Sequence, residues 1–175
     1  MSDIESVTER HHVSPDCSRE EFLAVCKVYA REIVRRFGLS VDVSALSWEV
    51  STRAKRRAGV VEHRDGDPET VRLTWEHFET QGWEAAAATV RHELAHVHLL
   101  NEQSDAGHGA DFRRLADELE TTVHCDRFAE PTYWVVCDGC GSRLPRYRRS
   151  KLVENPETYR CGACGHALRA VRNEE

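Results

Sequence analysis

Hydrophobic residues recur at helical spacing in three segments of the chain. In residues 18–38 the apolar positions lie three or four residues apart, and the S-x-x-E sequence from Ser18 to Glu21 is typical of a helix N-terminus. The same spacing recurs in residues 83–100 and in residues 112–119. The apolar pattern therefore predicts three helices.

The period shortens between the first two helical segments. Residues 46–50 and residues 71–75 alternate apolar and polar positions, as the two faces of a β-strand require. A further apolar run surrounds Val60, and the D-G-D-P sequence at residues 65–68 indicates a turn. We expect a small antiparallel sheet of about three strands that packs against a helix, and hence an α+β fold.

The pattern breaks near residues 125–131, where we place a domain boundary. Residues 1–17 are polar and are expected to be a flexible N-terminal segment. Residues 18–130 would form the main domain. Residues 131–175 would form a small β module, entered by a strand at residues 132–136. A chain of 175 residues is long enough for one ordinary domain with such an appendage.

Charge is distributed unevenly over the chain. The net charge is −6, yet residues 131–175 carry eight Lys or Arg against five Asp or Glu. This asymmetry indicates an anionic partner for the C-terminal module. No apolar run approaches the roughly 18 residues of a membrane helix, and residues 1–16 have no signal-peptide core. We therefore expect an intracellular protein without membrane contact, cytoplasmic and nucleoid-associated if prokaryotic. The oligomeric state is left open.

The stretch from His92 to His96 reads H-E-L-A-H within the second predicted helix. Residues four apart lie one turn apart on the same helix face, so both imidazoles can reach one metal ion. H-E-x-x-H is typical of zinc sites in which the glutamate, here Glu93, is the general base. Because zinc acidifies its bound water, this carboxylate can take the proton and later pass it to a leaving amine. The motif predicts a zinc metallopeptidase.

Catalytic zinc usually has three protein ligands, so a third should follow the motif. We expect His108, which lies between Gly107 and Gly109 just before the third helix. Glycines let the backbone turn sharply, and eleven residues after His96 suffice to finish the helix and fold back. The alternative carboxylate ligands are Glu102, Asp105, Asp111, Glu118 and Glu120.

Four of the seven cysteines form two C-x-x-C pairs, separated by twenty residues: Cys137, Cys140, Cys161 and Cys164. This spacing is typical of a four-cysteine zinc site, in which four thiolates close the tetrahedron and the metal is structural. Metal binding would supply much of the folding energy of so small a module. Cys17 and Cys125 are isolated, and Cys26 lies on the apolar stripe of the first helix, as a buried small residue would.

The segment between the two cysteine pairs contains five cations within nine residues and an interleaved tyrosine: Arg143, Arg146, Tyr147, Arg148, Arg149 and Lys151. Cations beside an aromatic ring suit phosphate contact and base stacking. A solvated hairpin explains them equally well. A second basic cluster, at residues 53–57, is interpreted as a solvated loop.

The sequence T-V-R-H-E-L-A-H, followed by G-H-G-A-D-F at residues 107–112, resembles the SprT-like (Spartan-type) zinc metalloprotease family. The resemblance extends in layout over residues 18–170 and implies a zincin-like core of helices on a small sheet, with a C-terminal zinc ribbon. It places the catalytic zinc on His92, His96 and His108, and the general base on Glu93. It also implies proteolysis of proteins held on or crosslinked to DNA, which favours DNA contact by the basic segment.

Three functional hypotheses follow. The first is a DNA-associated zinc metalloendopeptidase with one catalytic and one structural Zn²⁺, held on DNA by sequence-independent contacts. The second is an inert nucleic-acid-binding adaptor, against which the intact Glu93 argues. The third is a general zinc peptidase whose activity does not depend on DNA.

Overall fold

A computed structural model describes residues 2–104, 107–123 and 128–173. The chain divides into two compact units, Met1–Phe128 and Ala129–Glu175. The boundary expected from the sequence lay between residues 130 and 131. Two residues singled out in the sequence, Asp105 and Cys125, lie outside the described residues.

The N-terminal segment that was predicted to be flexible contains a helix, so that prediction is wrong. Helix α1 (Asp3–Arg10) buries Ile4 and Val7, and its Thr8 carbonyl accepts a hydrogen bond from the indole Nε1 of Trp83 at 2.8 Å. Two apolar residues on one face are too short a pattern to predict a helix from sequence. Tertiary packing stabilises this helix, as it does most short helices.

The three helices predicted from the apolar spacing are present: α2 (Arg19–Phe37), α3 (Trp75–Gln103) and α4 (Ala110–Glu118). Helix α3 begins earlier than expected, since Trp75 is its first residue and not the end of a strand. The break in α3 lies at Gly82, whose φ of 77° is a left-handed conformation that glycine adopts without strain. The predicted helix therefore corresponds to the part of α3 after this break.

The first unit contains a three-stranded sheet with the order β1-β3-β2, formed by β1 (Ser47–Ser51), β2 (Gly59–Arg64) and β3 (Asp67–Thr74). The α+β class is confirmed. Strands β2 and β3 form an antiparallel hairpin whose turn, Asp65-Gly66, has positive φ at both residues, as a type I′ turn requires.

One strand pairing differs from the expected antiparallel sheet. Strand β1 runs parallel to β3, with Trp48 opposite Val71. Apolar alternation indicates which face of a strand is buried, but it carries no information on the direction of its neighbour. Because β3 lies in the middle, β2 forms an edge of the sheet.

The core of the first unit lies between the sheet and helices α2 and α3. Phe22 and Phe78 are buried and stack with ring centroids 4.3 Å apart, and Leu94 is buried on α3. Cys26 is fully buried in this core, as its place on the apolar stripe predicted. This packing fixes the position of helix α3, which carries the H-E-x-x-H motif.

The second unit is a small antiparallel sheet with the order β5-β4-β6, formed by β4 (Tyr133–Cys137), β5 (Arg143–Arg146) and β6 (Leu168–Arg172). A short helix, α5 (Lys151–Glu154), and a 3-10 turn (Pro156–Thr158) follow β5. The buried apolar core of this unit consists of Val135, Cys137 and Leu168. Such a core is too small to fold a module alone.

Across the ranges that the structure covers, no helix has both the length and the apolar content needed to cross a bilayer.

Candidate metal centres

Three predicted ligands converge in a cleft of the first unit. Helix α3 places His92 and His96 one turn apart, with their Nε2 atoms 3.2 Å from each other. His108, from the loop before α4, brings its Nε2 atom to 3.0 Å from that of His96 and 3.3 Å from that of His92. The structure therefore brings together the two motif histidines and the third one expected from the glycine-flanked loop.

The spacing of these nitrogens fits a tetrahedral metal ion. Zinc–nitrogen bonds of about 2.0–2.1 Å at tetrahedral angles place the bound nitrogens about 3.3 Å apart. The three Nε2–Nε2 distances here are 3.0–3.3 Å. The ring of Phe112 lies 4.5–4.9 Å from all three imidazole centroids and supports them from one side. Three imidazoles in this arrangement leave one tetrahedral position for water or substrate.

The orientation of His92 is set by a backbone carbonyl. Its Nδ1–H donates to the Thr122 carbonyl oxygen at 2.7 Å, so its Nε2 carries the lone pair that a metal needs. The sequence contained no signal for this partner, because every residue has a carbonyl and Thr122 lies 30 residues away.

Glu93 is buried beside this histidine cluster, with 3% of its surface exposed. The backbone of β2 closes over it, since a Cβ atom added at Gly59 would lie only 2.6 Å from Glu93 Oε1. Burial raises the pKa of Glu93 to about 8, while the charge of Arg57 and the backbone N–H of Val61 act in the opposite direction. A carboxyl group with a pKa near neutrality can both accept and return a proton.

A cleft of about 670 Å³ opens beside Glu93 and the three histidines. The cleft is lined by the edge strand β2 with the preceding loop, by helix α3 and by residues 121–123. Arg56 and Arg57 line the cleft, so the basic cluster interpreted as a solvated loop contributes at least two residues to the site. Their position could not be seen in the sequence, because the loop folds back over α3 only in the tertiary structure.

The described alternatives to His108 lie elsewhere. Glu102 accepts a hydrogen bond from Ser40 Oγ, Asp111 pairs with Arg114 at 3.0 Å, and Glu120 accepts from Ser2 Oγ at 3.0 Å. Glu118 is exposed on the last turn of α4. Among the described side chains the metal-ligating group in this unit consists of the three histidines.

The four cysteines of the second unit form another candidate metal centre, with all four Sγ atoms within 4.8 Å of one another. The Sγ atoms of Cys137 and Cys164 are 3.3 Å apart, and those of Cys140 and Cys161 are 3.7 Å apart. Zinc–sulfur bonds of about 2.3 Å predict a spacing of about 3.8 Å. The backbone N–H groups of Cys140 and Gly139 lower the pKa of the Cys137 thiol, which favours the thiolate that binds metal.

The six residues predicted to contact DNA lie on β5 and in the segment after it. Arg143 and Arg146 are the end residues of β5, and Lys151 begins α5. Between them, Arg148 and Arg149 are exposed and Tyr147 is half-buried. Arg149 lies 3.7 Å from Glu154, so part of its charge is balanced.

The Arg143 guanidinium lies 4.4 Å from the centroid of the Trp134 ring. Trp134 on β4 was not predicted as a site residue. The alternating pattern of β4 could have indicated it, because Val135 and Cys137 are buried on one face of the strand and Trp134 lies on the opposite face.

Comparisons with known proteins identify relatives of this chain. Residues 23–133 match the SprT-like family. The "Protein SprT-like" of Streptococcus suis (strain 05ZYH33) is 37% identical over 92 residues, which cover 50% of this chain and 61% of that protein. The protein of the same name from Geobacillus kaustophilus is 32% identical over 106 residues, 57% of this chain and 68% of that protein. The one from Bacillus subtilis (strain 168) is 29% identical over 107 residues, 58% of this chain and 69% of that protein.

The chain thus spans about three fifths of the Streptococcus suis relative. The family match includes the histidine cluster, Glu93 and the segment that supplies the Thr122 carbonyl, and it ends at the start of β4. Since the match extends over more than half of its residues, the chain belongs to the SprT-like family.

Proposed function

We propose that this chain is a zinc-dependent metalloendopeptidase that cleaves proteins bound or crosslinked to DNA. The observation that carries the proposal is the convergence of three imidazole nitrogens beside a buried glutamate at the wall of a cleft. Ligands and a proton acceptor in this arrangement fit hydrolysis of an amide bond.

A divalent ion held by the three imidazoles would supply a Lewis acid that acidifies water and polarises a carbonyl group. Glu93 accepts the proton of the attacking water and returns it to the leaving amine nitrogen. Its burial under β2 keeps bulk water from competing for that proton. The Thr122 carbonyl keeps His92 in the tautomer whose Nε2 faces the metal position.

The cleft is suited to an extended peptide. Strand β2 is an edge strand, and a peptide can lie alongside such an edge and bond to its main chain. A volume of about 670 Å³ is within the usual range of ligand sites and holds a few residues. This geometry favours an unstructured or locally unfolded segment as substrate over a folded surface.

The second unit supports the DNA part of the proposal. Four thiolates would bind one structural zinc ion, and this ion would stabilise the three-stranded sheet. The exposed arginines of this unit can neutralise phosphates, and the Trp134 ring with Arg143 beside it can stack on a base. Phosphate contact and stacking both tolerate any sequence, so the proposed binding is sequence-independent.

Cleavage of a DNA-bound protein, measured with and without single-stranded DNA, tests this function. Wild-type protein should cleave, and DNA should accelerate the cleavage. Glu93→Gln should abolish cleavage while zinc content and DNA affinity stay unchanged, because the amide cannot accept the proton. The matched control is Glu118→Gln, which alters an exposed glutamate of the same unit and should retain activity.

Two outcomes would refute the proposal, and each would favour a different function. Tight DNA binding without any cleavage by the wild type would identify an inert adaptor. Cleavage at the same rate with and without DNA would identify a general peptidase with a purely structural ribbon.

A further inference from the structure

Arg91 is a buried cation next to the candidate metal centre, with 6% of its surface exposed. Its Nε–H donates to the Leu119 carbonyl at 2.7 Å, and Nη2 donates to the Glu120 carbonyl at 2.9 Å. Nη1 donates to the hydroxyl groups of Tyr29 and Thr8. All four acceptors are neutral oxygens. Among the residues that the structure describes, none of the acceptors bonded by Arg91 is a carboxylate. Burying a guanidinium without such a partner is costly, so an apolar side chain at this position would stabilise the core more.

The two carbonyls bound by Arg91 begin the segment that reaches His92. This segment, residues 119–122, leaves α4 through a left-handed residue, Glu120, with φ of 46°. Thr121 Oγ1 then donates to the Ala88 carbonyl at 2.7 Å. Thr122 follows directly, and its carbonyl accepts the His92 Nδ1–H. Four consecutive residues are therefore bonded to α3, the first two of them through Arg91.

We propose that Arg91 is a positioning residue for the metal centre: its guanidinium holds the Leu119 and Glu120 carbonyls and thereby keeps the Thr122 carbonyl on His92 Nδ1. This inference rests on the metal centre of the proposed function. Arg91 bonds two successive carbonyls from two nitrogens of one rigid planar group, whereas lysine would have to reach both from a single nitrogen on a flexible stem. Arg91 also joins this segment to α1 and α2 through Thr8 and Tyr29.

The consequence is measurable as metal affinity. Partners that orient a ligating histidine typically change metal affinity by about 10- to 100-fold when they are removed. Arg91→Met keeps an apolar stem of similar length but loses both carbonyl contacts. In this variant the Thr122 carbonyl is held less firmly against His92 Nδ1. Part of the free energy of metal binding is then spent on ordering the His92 ring.

The test uses the full chain loaded with one zinc per molecule, with the ribbon cysteines shown to be protected from alkylation. Co²⁺ is then titrated into the histidine site and followed by its visible absorption. We expect Arg91→Met and Arg91→Lys to bind Co²⁺ about 10- to 100-fold more weakly than wild type. In the protein without Co²⁺, nitrogen chemical shifts of the His92 ring should report Nδ1–H in the wild type and a tautomer mixture in Arg91→Met.

Tyr29→Phe is the matched control, because it removes an acceptor of the same guanidinium but leaves both carbonyl contacts. It should lower thermal stability and leave Co²⁺ affinity within twofold of wild type. If Arg91→Met does not fold, Arg91→Lys carries the test, because it keeps the charge and alters only the contacts of Arg91.

The inference is overturned if the folded Arg91 variants bind Co²⁺ as tightly as the wild type, or if Tyr29→Phe weakens binding equally. Failure of the wild type itself to bind Co²⁺ at the histidines would instead refute the proposed metal centre. The two failures are therefore distinguishable.

Discussion

Gly59→Ala should lower the rate of the proposed peptidase strongly without removing any chemical group. A Cβ at residue 59 would lie 2.6 Å from Glu93 Oε1, 3.0 Å from Glu93 Cγ and 2.8 Å from Thr89 Cγ2. Ordinary contacts begin near 3.4 Å, so the Glu93 carboxylate has to move by roughly 0.5–1 Å. A displacement of about 1 Å at a catalytic group can cost about 100-fold in rate.

The effect on folding should be smaller than the effect on rate. Forcing a methyl group into a packed site costs about 1–3 kcal/mol. Replacing glycine inside a strand returns roughly 0.5–1 kcal/mol, because the unfolded chain loses conformational freedom. We expect a net destabilisation of about 1–2 kcal/mol, which leaves most molecules folded.

The assay is kcat for peptide cleavage, together with metal affinity and urea unfolding on the same samples. We expect kcat to fall about 10- to 100-fold. Metal affinity should stay near that of the wild type, because the three atoms nearest to the added Cβ belong to Glu93 and Thr89 and not to a histidine. Gly162→Ala is the matched control, since a Cβ there meets nothing within 4 Å.

A second substitution separates the two contacts of the added methyl. Thr89→Ser in the Gly59→Ala background removes the contact with Thr89 Cγ2 but leaves those with Glu93. The double variant should therefore keep the lowered kcat. Wild-type kcat in folded Gly59→Ala would refute the reasoning, and recovery of activity in the double variant would assign the effect to Thr89 instead of Glu93.

Three further predictions concern the ribbon, acid stability and DNA. Cys161→Ser should unfold residues 129–175 while the first unit stays folded, because the apolar core of the ribbon is too small to keep it folded without metal. Limited proteolysis that cuts only within the ribbon would confirm this, and a protease-resistant ribbon would contradict it. A hydrogen bond from His11 lowers the pKa of Glu32 below 4.5, so Glu32 stabilises the fold above about pH 4.5 and loses this effect as pH falls through the lowered pKa. Glu32→Gln should therefore flatten the fall in unfolding free energy at acid pH, and parallel curves for both proteins would refute this. Trp134→Ala should weaken single-stranded DNA binding by about 1–3 kcal/mol and Trp134→Phe by less, as fluorescence anisotropy can measure; equal affinities would exclude stacking on this ring.

Local motifs predicted the chemistry of both centres. His92 and His96 lie one turn apart in any α-helix, and each C-x-x-C pair brings two thiolates together in one tight turn. The sequence also predicted the three main helices, since an apolar stripe of several turns is specific to the helical period. These features depend on residues close in sequence, where backbone geometry leaves few alternatives.

The surroundings of those residues depend on long-range packing. The Thr122 carbonyl, the close approach of Gly59 to Glu93 and the carbonyl contacts of Arg91 are made by the main chain. Because all residues have the same main-chain groups, contacts made by these groups cannot be predicted from residue identities. The parallel pairing of β1 and the packing of α1 likewise depend on partners distant along the chain. Local sequence patterns therefore identify which side chains can bind metal and move protons, whereas contacts between distant parts of the backbone set how these side chains are oriented and enclosed.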